Sequence, residues 1–206
     1  MNSYFKKFLT SKTLIYVGVI IGVLVIGACI YFITNQFQLS DIKTLSPEYQ
    51  NQDWPYLNSS LPTEERVQDL LSRMTEAEKI GQLALAEKNS INNLEDVIRY
   101  GLGGILSGSG AKPEPNTPEA WLAMVNTFDS ASRNSRLGIP VLYGVDANHG
   151  HGNVPGATLF PHFIGLGATN DPDLVRRIGA ITAQEMSATG IYWNFSPSID
   201  VAQDIR

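Results

Sequence analysis

The sequence is poor in cysteine: Cys29 is the single one among 206 residues. An intrachain disulfide is therefore impossible, which excludes a small domain held together by disulfide bridges. Glycine and proline number 18 and 11 and are dispersed along the chain, which excludes a collagen-like repeat. Because 43% of the residues are hydrophobic, wholesale disorder is also disfavoured, and the sequence predicts a globular part with a buried core.

Acidic residues are absent from the first 40 positions, which contain the three lysines Lys6, Lys7 and Lys12. The rest of the chain carries the other 12 basic residues and all 20 acidic ones, so its net charge is −8 within an overall charge of −5. Nucleic acids attract patches of lysine and arginine, and an acidic body therefore disfavours nucleic acid as a partner. A neutral or cationic ligand is the expectation for this part of the chain.

A run of twenty residues without charge extends from Leu14 to Ile33. At a helical rise of about 1.5 Å per residue, this run matches the hydrocarbon core of a bilayer, which is about 30 Å thick. The lysines that precede it place the N-terminus on the cytoplasmic side by the positive-inside rule. We therefore predict a cytoplasmic segment at residues 1–13, a signal anchor in the lipid bilayer at residues 14–33, and an extracytoplasmic body, either periplasmic or at the cell surface.

Two alternatives to a signal anchor concern the same run. Residues 26–29, Ile-Gly-Ala-Cys, resemble a bacterial lipobox, which would be cleaved before Cys29 and lipidated there. The residues that follow, 30–33, remain apolar, whereas lipoproteins normally become polar at this point. A buried core helix is disfavoured because the run has no polar face.

Residues 34–60 are polar and are interrupted by Pro47 and Pro55, which predicts a linker that reaches the body through Trp54 and Tyr56. From residue 61 onward, apolar residues at helical spacing alternate with short apolar runs that are typical of buried strands. Helices are predicted near residues 67–74, 76–83, 94–98, 121–128 and 174–181, and strands at 103–106, 139–145 and 191–195. This alternation predicts an α/β fold with a parallel sheet covered by helices.

The length of the body leaves two architectures open. A closed (β/α)8 barrel needs about 200 to 250 residues, whereas residues 61–206 number 146. Residues 200–206 also follow the last predicted strand without a closing helix. The body is therefore either a truncated barrel or a smaller open sheet.

The densest polar cluster, residues 146–153 (DANHGHGN), directly follows the strand predicted at 139–145. In parallel α/β folds, ligands bind at the carboxyl ends of the strands. Asp146 at such an end could accept hydrogen bonds from a polyol, act as a general base or join a metal site. It could equally cap the turn, and its position alone leaves these roles open.

His149 and His151 are two residues apart, a spacing that permits a metal site. His162 is the one other histidine, and neither an HExxH nor a CxxC motif is present, so structural hydrogen bonds are the favoured role, with contact of one histidine to substrate left open. The glycines at residues 101–110 fit no phosphate-binding motif. A serine or thiol hydrolase is disfavoured because the sequence has no GxSxG elbow and its cysteine lies in the apolar run.

Five stretches of the body form a characteristic set: 66–75 (RVQDLLSRMT), 78–82 (EKIGQ), 136–152 (RLGIPVLYGVDANHGHG), 158–161 (TLFP) and 165–169 (GLGAT). Together they resemble the N-terminal part of family 3 glycoside hydrolases, the β-glucosidase and β-glucan exohydrolase group. The similarity covers residues 53–206 and is sharpest at 136–152.

The resemblance implies a (β/α)8 TIM-barrel-like domain, incomplete in this chain. It also implies retaining, exo-acting hydrolysis of terminal nonreducing β-D-glucosyl residues from β-glucosides or β-glucans, with neither cofactor nor metal. Asp146 matches the family's sugar-binding aspartate. Arg206 matches the arginine that precedes the family's sugar-binding arginine, although Ile205 stands where many relatives have proline. Asp200 and Asp204 match structural positions.

The family's nucleophile and acid/base match no residue here and are expected beyond Arg206, so the chain alone is expected to be inactive. Two other functions stay open. One is a noncatalytic sugar-binding remnant that is complete as written. The other is a metal-dependent amidohydrolase that uses His149 and His151.

Overall fold

The computed structural model of the protein describes residues 52–108 and 110–198. The predicted cytoplasmic segment and signal anchor, with Cys29, lie outside these residues, as do residues 199–206. None of the helices in the described part has the length and hydrophobicity that crossing a membrane requires.

The described residues form four strands and six α-helices. The strands are β1 (Leu85–Glu87), β2 (Gly104–Ser107), β3 (Leu142–Val145) and β4 (Trp193–Asn194). The helices are α1 (Thr63–Arg73), α2 (Glu76–Gln82), α3 (Leu94–Tyr100), α4 (Pro118–Arg133), α5 (Phe163–Ala168) and α6 (Pro172–Ala188).

All four strands lie parallel in one sheet, in the order β1-β2-β3-β4. Parallel neighbours require crossover connections, which here contain α3, then α4, then α5 with α6. The predicted α/β fold with a parallel sheet is thereby confirmed.

The sheet begins earlier in the chain than predicted. The first strand expected from the sequence is at residues 103–106, but Leu85–Glu87 already forms β1. Three residues are too few to show a strand periodicity, and pairing with β2, with Leu85 opposite Gly104, makes this segment a strand. Helix α5 is a second element that is not predicted from the sequence.

Strand β3 is shorter than the predicted strand at 139–145. Pro140 has no N–H group, and the N–H of Val141 donates to Ser132 Oγ at 3.0 Å. The ladder with β2 therefore starts at Leu142. Strand β4 likewise covers two residues of the predicted strand at 191–195.

The hydrophobic core lies between the sheet and helix α4. Ile105 of β2 and Tyr143 and Val145 of β3 are at most 4% exposed. The apolar face of α4 packs in this core, with Trp121, Val125 and Phe128 buried and Met124 partly buried. The alternation of side chains leaves Gly104, Leu106, Leu142, Gly144 and Trp193 on the opposite side of the sheet, here called the inner face.

Local capping residues mark three of the helix ends. Thr75 and Glu78 form a capping box in which each side chain accepts the backbone N–H of the other residue. Gly101, with a φ of 56°, ends α3. Asp171 caps α6, and Pro172 is its first residue. These boundaries depend on local backbone chemistry, which sequence patterns report well.

Glu78 also forms a bidentate ion pair with Arg136, with Nε–Oε1 and Nη2–Oε2 distances of 2.9 and 2.6 Å. Burial raises the pKa of Glu78, but the hydrogen bonds from Arg136 and Thr75 outweigh it and hold this pKa below its ordinary value. Arg136 additionally donates to the carbonyl oxygen of Arg73 at 2.9 Å. The pair thus fastens α2 to the segment that precedes β3.

The end of the predicted linker packs against the body. Tyr56 lies in a short 3-10 helix, Pro55–Leu57, is 8% exposed, and donates its hydroxyl to the carbonyl oxygen of Leu137 at 2.8 Å. The Arg73 guanidinium lies 4.5 Å from the ring centroid of Trp54. Trp54 and Tyr56, at the end of the linker predicted at 34–60, therefore contact the body as the sequence predicts.

Candidate functional site

The carboxyl end of strand β3 carries Asp146. This residue is exposed, while its neighbours Val145 and Ala147 are 0% and 3% exposed. The alternation of β3 places Asp146 on the same side as Gly144, which belongs to the inner face. Its carboxylate is therefore presented to solvent at the edge where parallel α/β folds bind ligands.

Two aromatic rings cover the inner face: Phe195 lies against Gly144, close to this edge, and Trp193 lies against Gly104 at the start of β2. Trp193 and Phe195 contact each other edge to face, with ring centroids 4.8 Å apart. A Cβ at Gly144 would lie 2.4 Å from Phe195 Cζ, and a Cβ at Gly104 would lie 3.1 Å from Trp193 Cζ3. The glycines therefore allow the rings to lie close against the strands. A carboxylate at the edge of an apolar surface suits a ligand that has both hydroxyl groups and apolar faces.

A second carboxylate reaches the same edge of the sheet. Glu87 is the last residue of β1, and its pairing with Leu106 assigns it to the inner face. Glu87 Oε2 accepts the N–H of Asn89 at 2.8 Å and thereby caps the turn after β1. Glu87 has no signal in the sequence because β1 itself shows no periodicity.

The loop after β3 packs tightly against the segment at residues 158–160. The N–H of Phe160 donates to the carbonyl oxygen of His149 at 2.8 Å. Gly150 has a φ of 101°, and a Cβ at this position would lie 1.9 Å from the carbonyl oxygen of Thr158. The two segments therefore pass too close for any side chain at position 150.

The three histidines occupy two separate places. The rings of His149 and His162 contact each other with centroids 4.2 Å apart. His151 is 1% exposed, lies 5.9 Å from the Trp121 ring and has its Nε2 atom 3.1 Å from Thr189 Oγ1. His149 and His151 thus have different surroundings, and within residues 52–108 and 110–198 no three His, Cys, Asp or Glu side chains form a possible metal site. This geometry gives the metal-dependent alternative no support.

The surroundings of His151 favour its neutral form. The Thr189 hydroxyl donates to the carbonyl oxygen of Met186 at 2.7 Å, so it accepts a hydrogen bond from Nε2 of His151. Nδ1 of His151 is buried, with no hydrogen-bond partner in the described part of the chain. Burial lowers the pKa of His151 below its ordinary value, and the charge of Glu185 opposes this shift only in part.

We expect the folded state to lose stability as the pH falls below about 6.5, the pKa of histidine in an unfolded chain. Below this pH the unfolded chain binds a proton that native His151 does not bind, which costs up to about 1.4 kcal/mol per pH unit until the lower native pKa is reached. Above this pH neither state is protonated at His151, and its contribution does not change.

Urea unfolding at about pH 7.5 and about pH 5 measures this effect. His151→Gln removes the titrating ring and should shrink the difference in unfolding free energy between the two pH values. His162→Gln removes an exposed histidine and should keep the wild-type difference. An equal decline in all three proteins would show that His151 is not the cause.

A groove of about 520 Å³ borders the loop after β3, helix α6 and strand β4. Its walls are mostly apolar and include Leu166, Met186 and Ile191. Asp146 does not line this groove, so the groove and the exposed carboxylate are separate features of the surface.

Comparison with known proteins was made on sequence and on structure. Residues 75–206 match the model of the glycosyl hydrolase family 3 N terminal domain. A lysosomal beta glucosidase of Dictyostelium discoideum is 32% identical over 152 residues, and a periplasmic beta-glucosidase of Salmonella typhimurium is 31% identical over 143 residues. These alignments cover 66% and 68% of this chain but only 18% and 17% of the relatives. The chain thus spans less than a fifth of the length of these two relatives.

Solved structures agree with the sequence matches. The exo-1,3/1,4-beta-glucanase ExoP from a Pseudoalteromonas species is 39% identical, with a TM-score of 0.62, over 74% of this chain and 20% of that chain. A beta-N-acetylhexosaminidase from Beutenbergia cavernae is 22% identical, with a TM-score of 0.53, over 64% of this chain and 40% of that chain. The second likeness concerns the fold alone.

Proposed function

The chain belongs to glycosyl hydrolase family 3, and on that basis we propose that it supplies the sugar-binding edge of a β-glucosidase active site. The observation that carries this proposal is the exposure of Asp146 between two buried neighbours at the carboxyl end of β3. An ionised carboxylate can accept charge-assisted hydrogen bonds from two adjacent hydroxyl groups. Asp146 is accordingly assigned to holding the terminal glucosyl residue.

The proposed substrates are β-linked glucosides and β-glucans, cleaved at the nonreducing end. Relatives named as beta-glucosidases and as an exo-1,3/1,4-beta-glucanase support this class. Other relatives are named as beta-xylosidases, so the family resemblance by itself extends to β-glycosides in general.

The proposed reaction proceeds with retention of configuration, which requires a nucleophile and an acid/base whose carboxyl groups are about 5 to 5.5 Å apart. We assign neither role to Asp146, which holds the sugar, nor to Glu87, which caps a turn. Both catalytic carboxyl groups are proposed to follow Arg206. The 206-residue chain alone would then bind sugar without hydrolysing it, and the proposal includes neither metal nor cofactor.

The proposed architecture is the first half of a (β/α)8 barrel. Four parallel strands in sequential order, with helices in their crossovers, are the arrangement that such a barrel repeats around its axis. In a barrel the carboxyl ends of all strands surround one cavity mouth. This placement would bring Asp146 together with residues from the later strands.

The proposed location is extracytoplasmic. Relatives are named as periplasmic in two bacteria and as lysosomal in Dictyostelium discoideum. The lysines that precede residues 14–33 favour export of everything that follows. Anchorage is proposed either through this run in the bilayer or through a lipid on Cys29.

The stereochemistry of hydrolysis tests the proposal. The product of the complete reading frame that contains this chain should cleave methyl β-D-glucoside, and proton NMR during the first turnovers should show β-glucose before it equilibrates with the α anomer. If α-glucose appears first, the reaction inverts configuration and the retaining mechanism is wrong. If the complete product binds glucose but never hydrolyses the glucoside, the sugar-binding remnant is the better description.

A further inference from the structure

Asn194 is a polar residue within an otherwise apolar stretch, residues 191–195. Its side chain forms two hydrogen bonds with one residue of the neighbouring chain segment. Asn194 Oδ1 accepts the N–H of Ala147 at 3.0 Å, and Asn194 Nδ2 donates to the carbonyl oxygen of Ala147 at 3.3 Å. We propose that Asn194 is a positioning residue that holds Asp146 in place for sugar binding; this inference rests on the proposed function.

The two hydrogen bonds fix the backbone on the C-terminal side of Asp146. The N–H of Ala147 belongs to the peptide group that follows Asp146, and the carbonyl group of Ala147 belongs to the next peptide group. Holding both groups restrains the orientation of the peptide plane attached to the Asp146 Cα atom. The direction of the Asp146 side chain is restrained with it.

These contacts extend the pairing of β3 and β4 beyond the end of the backbone ladder. Val145 is the register partner of Asn194, and the carbonyl oxygen of Val145 accepts the N–H of Phe195 at 3.1 Å. Beyond this point, the Asn194 side chain takes the place of a backbone partner. A carboxamide suits this task because it carries the same donor and acceptor as a peptide group.

The burial of Ala147 makes the two contacts costly to lose. Ala147 is 3% exposed, so water has little access to its N–H and carbonyl groups. Buried backbone groups without partners are strongly disfavoured, and without Asn194 the loop is expected to shift until both groups find new partners. Such a shift would move Asp146 without removing any atom that touches the sugar. Asn194 therefore acts through Ala147, not by contact with the ligand.

Sugar binding and hydrogen exchange of the full chain test the inference together. In Asn194→Leu, which keeps the size of the side chain but has no polar atoms, the dissociation constant for methyl β-D-glucoside should rise about tenfold. Amide exchange in the peptide 145–149 should accelerate. Asn194→Gln keeps both an acceptor for the Ala147 N–H and a donor for the Ala147 carbonyl group, so it should retain most of the exchange protection and stay within about threefold of the wild-type affinity.

Asp146→Ala, measured in parallel, separates this inference from the proposed function. If Asp146→Ala loses binding while Asn194→Leu keeps the wild-type affinity, Asn194 has no positioning role, although the proposed function stands. If Asp146→Ala binds as the wild type does, the proposed function fails and the inference fails with it. Thermal unfolding reports whether each variant is folded. If Asn194→Leu does not fold, the result with Asn194→Gln is decisive: retained exchange protection together with a tenfold loss of affinity overturns the inference.

Discussion

Asp146→Ala is expected to weaken the binding of methyl β-D-glucoside about 100-fold or more. Each hydrogen bond to a charged acceptor contributes about 1.5 to 3 kcal/mol, and about 1.4 kcal/mol corresponds to a factor of ten. The loss of two such bonds therefore exceeds two orders of magnitude. Because Asp146 is exposed, the free energy of unfolding should change by less than about 0.5 kcal/mol. Titration calorimetry and urea unfolding measure the two effects separately.

Two further variants control this result. Asp146→Asn keeps the size of the side chain and one acceptor oxygen but removes the charge, so an intermediate loss of affinity is expected. Asp173→Ala removes a carboxylate on helix α6 that pairs with Arg176 and is 73% exposed, and it should leave the affinity unchanged. Wild-type affinity in Asp146→Ala would remove the basis for assigning sugar binding to this residue.

Gly150→Ala should destabilise the fold by about 2 to 5 kcal/mol and disrupt the loop that follows Asp146. The left-handed backbone, with a φ of 101°, costs a residue with a Cβ about 1 to 2 kcal/mol. The added Cβ would also lie 1.9 Å from the carbonyl oxygen of Thr158, and relieving such an overlap costs about 1 to 3 kcal/mol more. The midpoint of urea unfolding should fall accordingly.

Gly156→Ala provides a matched control within the same loop region. Gly156 also has a positive φ, 88°, but a Cβ there would meet no atom within 4 Å. Its substitution should cost only the backbone term, about 1 to 2 kcal/mol. The difference between the two variants therefore measures the steric contact at position 150. Equal losses would mean that the 158–160 segment moves aside without cost.

Five of the six described helices were predicted because their signals are local, whereas α5 was missed. The capping box at Thr75 and the glycine that ends α3 at Gly101 act through hydrogen bonds to nearby backbone atoms. The apolar face of α4 is visible as a repeat in the sequence. Strand β1 has no comparable signal, because three residues become a strand only through pairing with β2. Strand ends depend equally on partners, as the hydrogen bond from Val141 to Ser132 shows.

The residues of the candidate site likewise differ in whether a local pattern in the sequence predicts them. Asp146 was a candidate because a polar residue directly after an apolar strand is expected at the ligand-binding edge of a parallel sheet, and the family resemblance gave it the sugar-binding role. Glu87 was missed together with its strand. Asn194 was missed because its partner, Ala147, lies 47 residues away in the chain, and no spacing pattern reports such a contact. A single asparagine among apolar residues at 191–195 was the one available signal.

The amino-acid sequence by itself determined the α/β class, five of the six described helices and the position of Asp146 after a strand, since each depends on periodicity, capping or the order of residues along the chain. The tertiary structure alone decided that His151 is a buried neutral ring, that position 150 has no room for a side chain, and that Asn194 holds the backbone beside Asp146. These properties arise where segments distant in sequence come within hydrogen-bonding or van der Waals distance. The strength of these interactions falls off over a few ångströms, so they depend on the packed positions of the atoms. They therefore produce no periodic pattern in the amino-acid sequence.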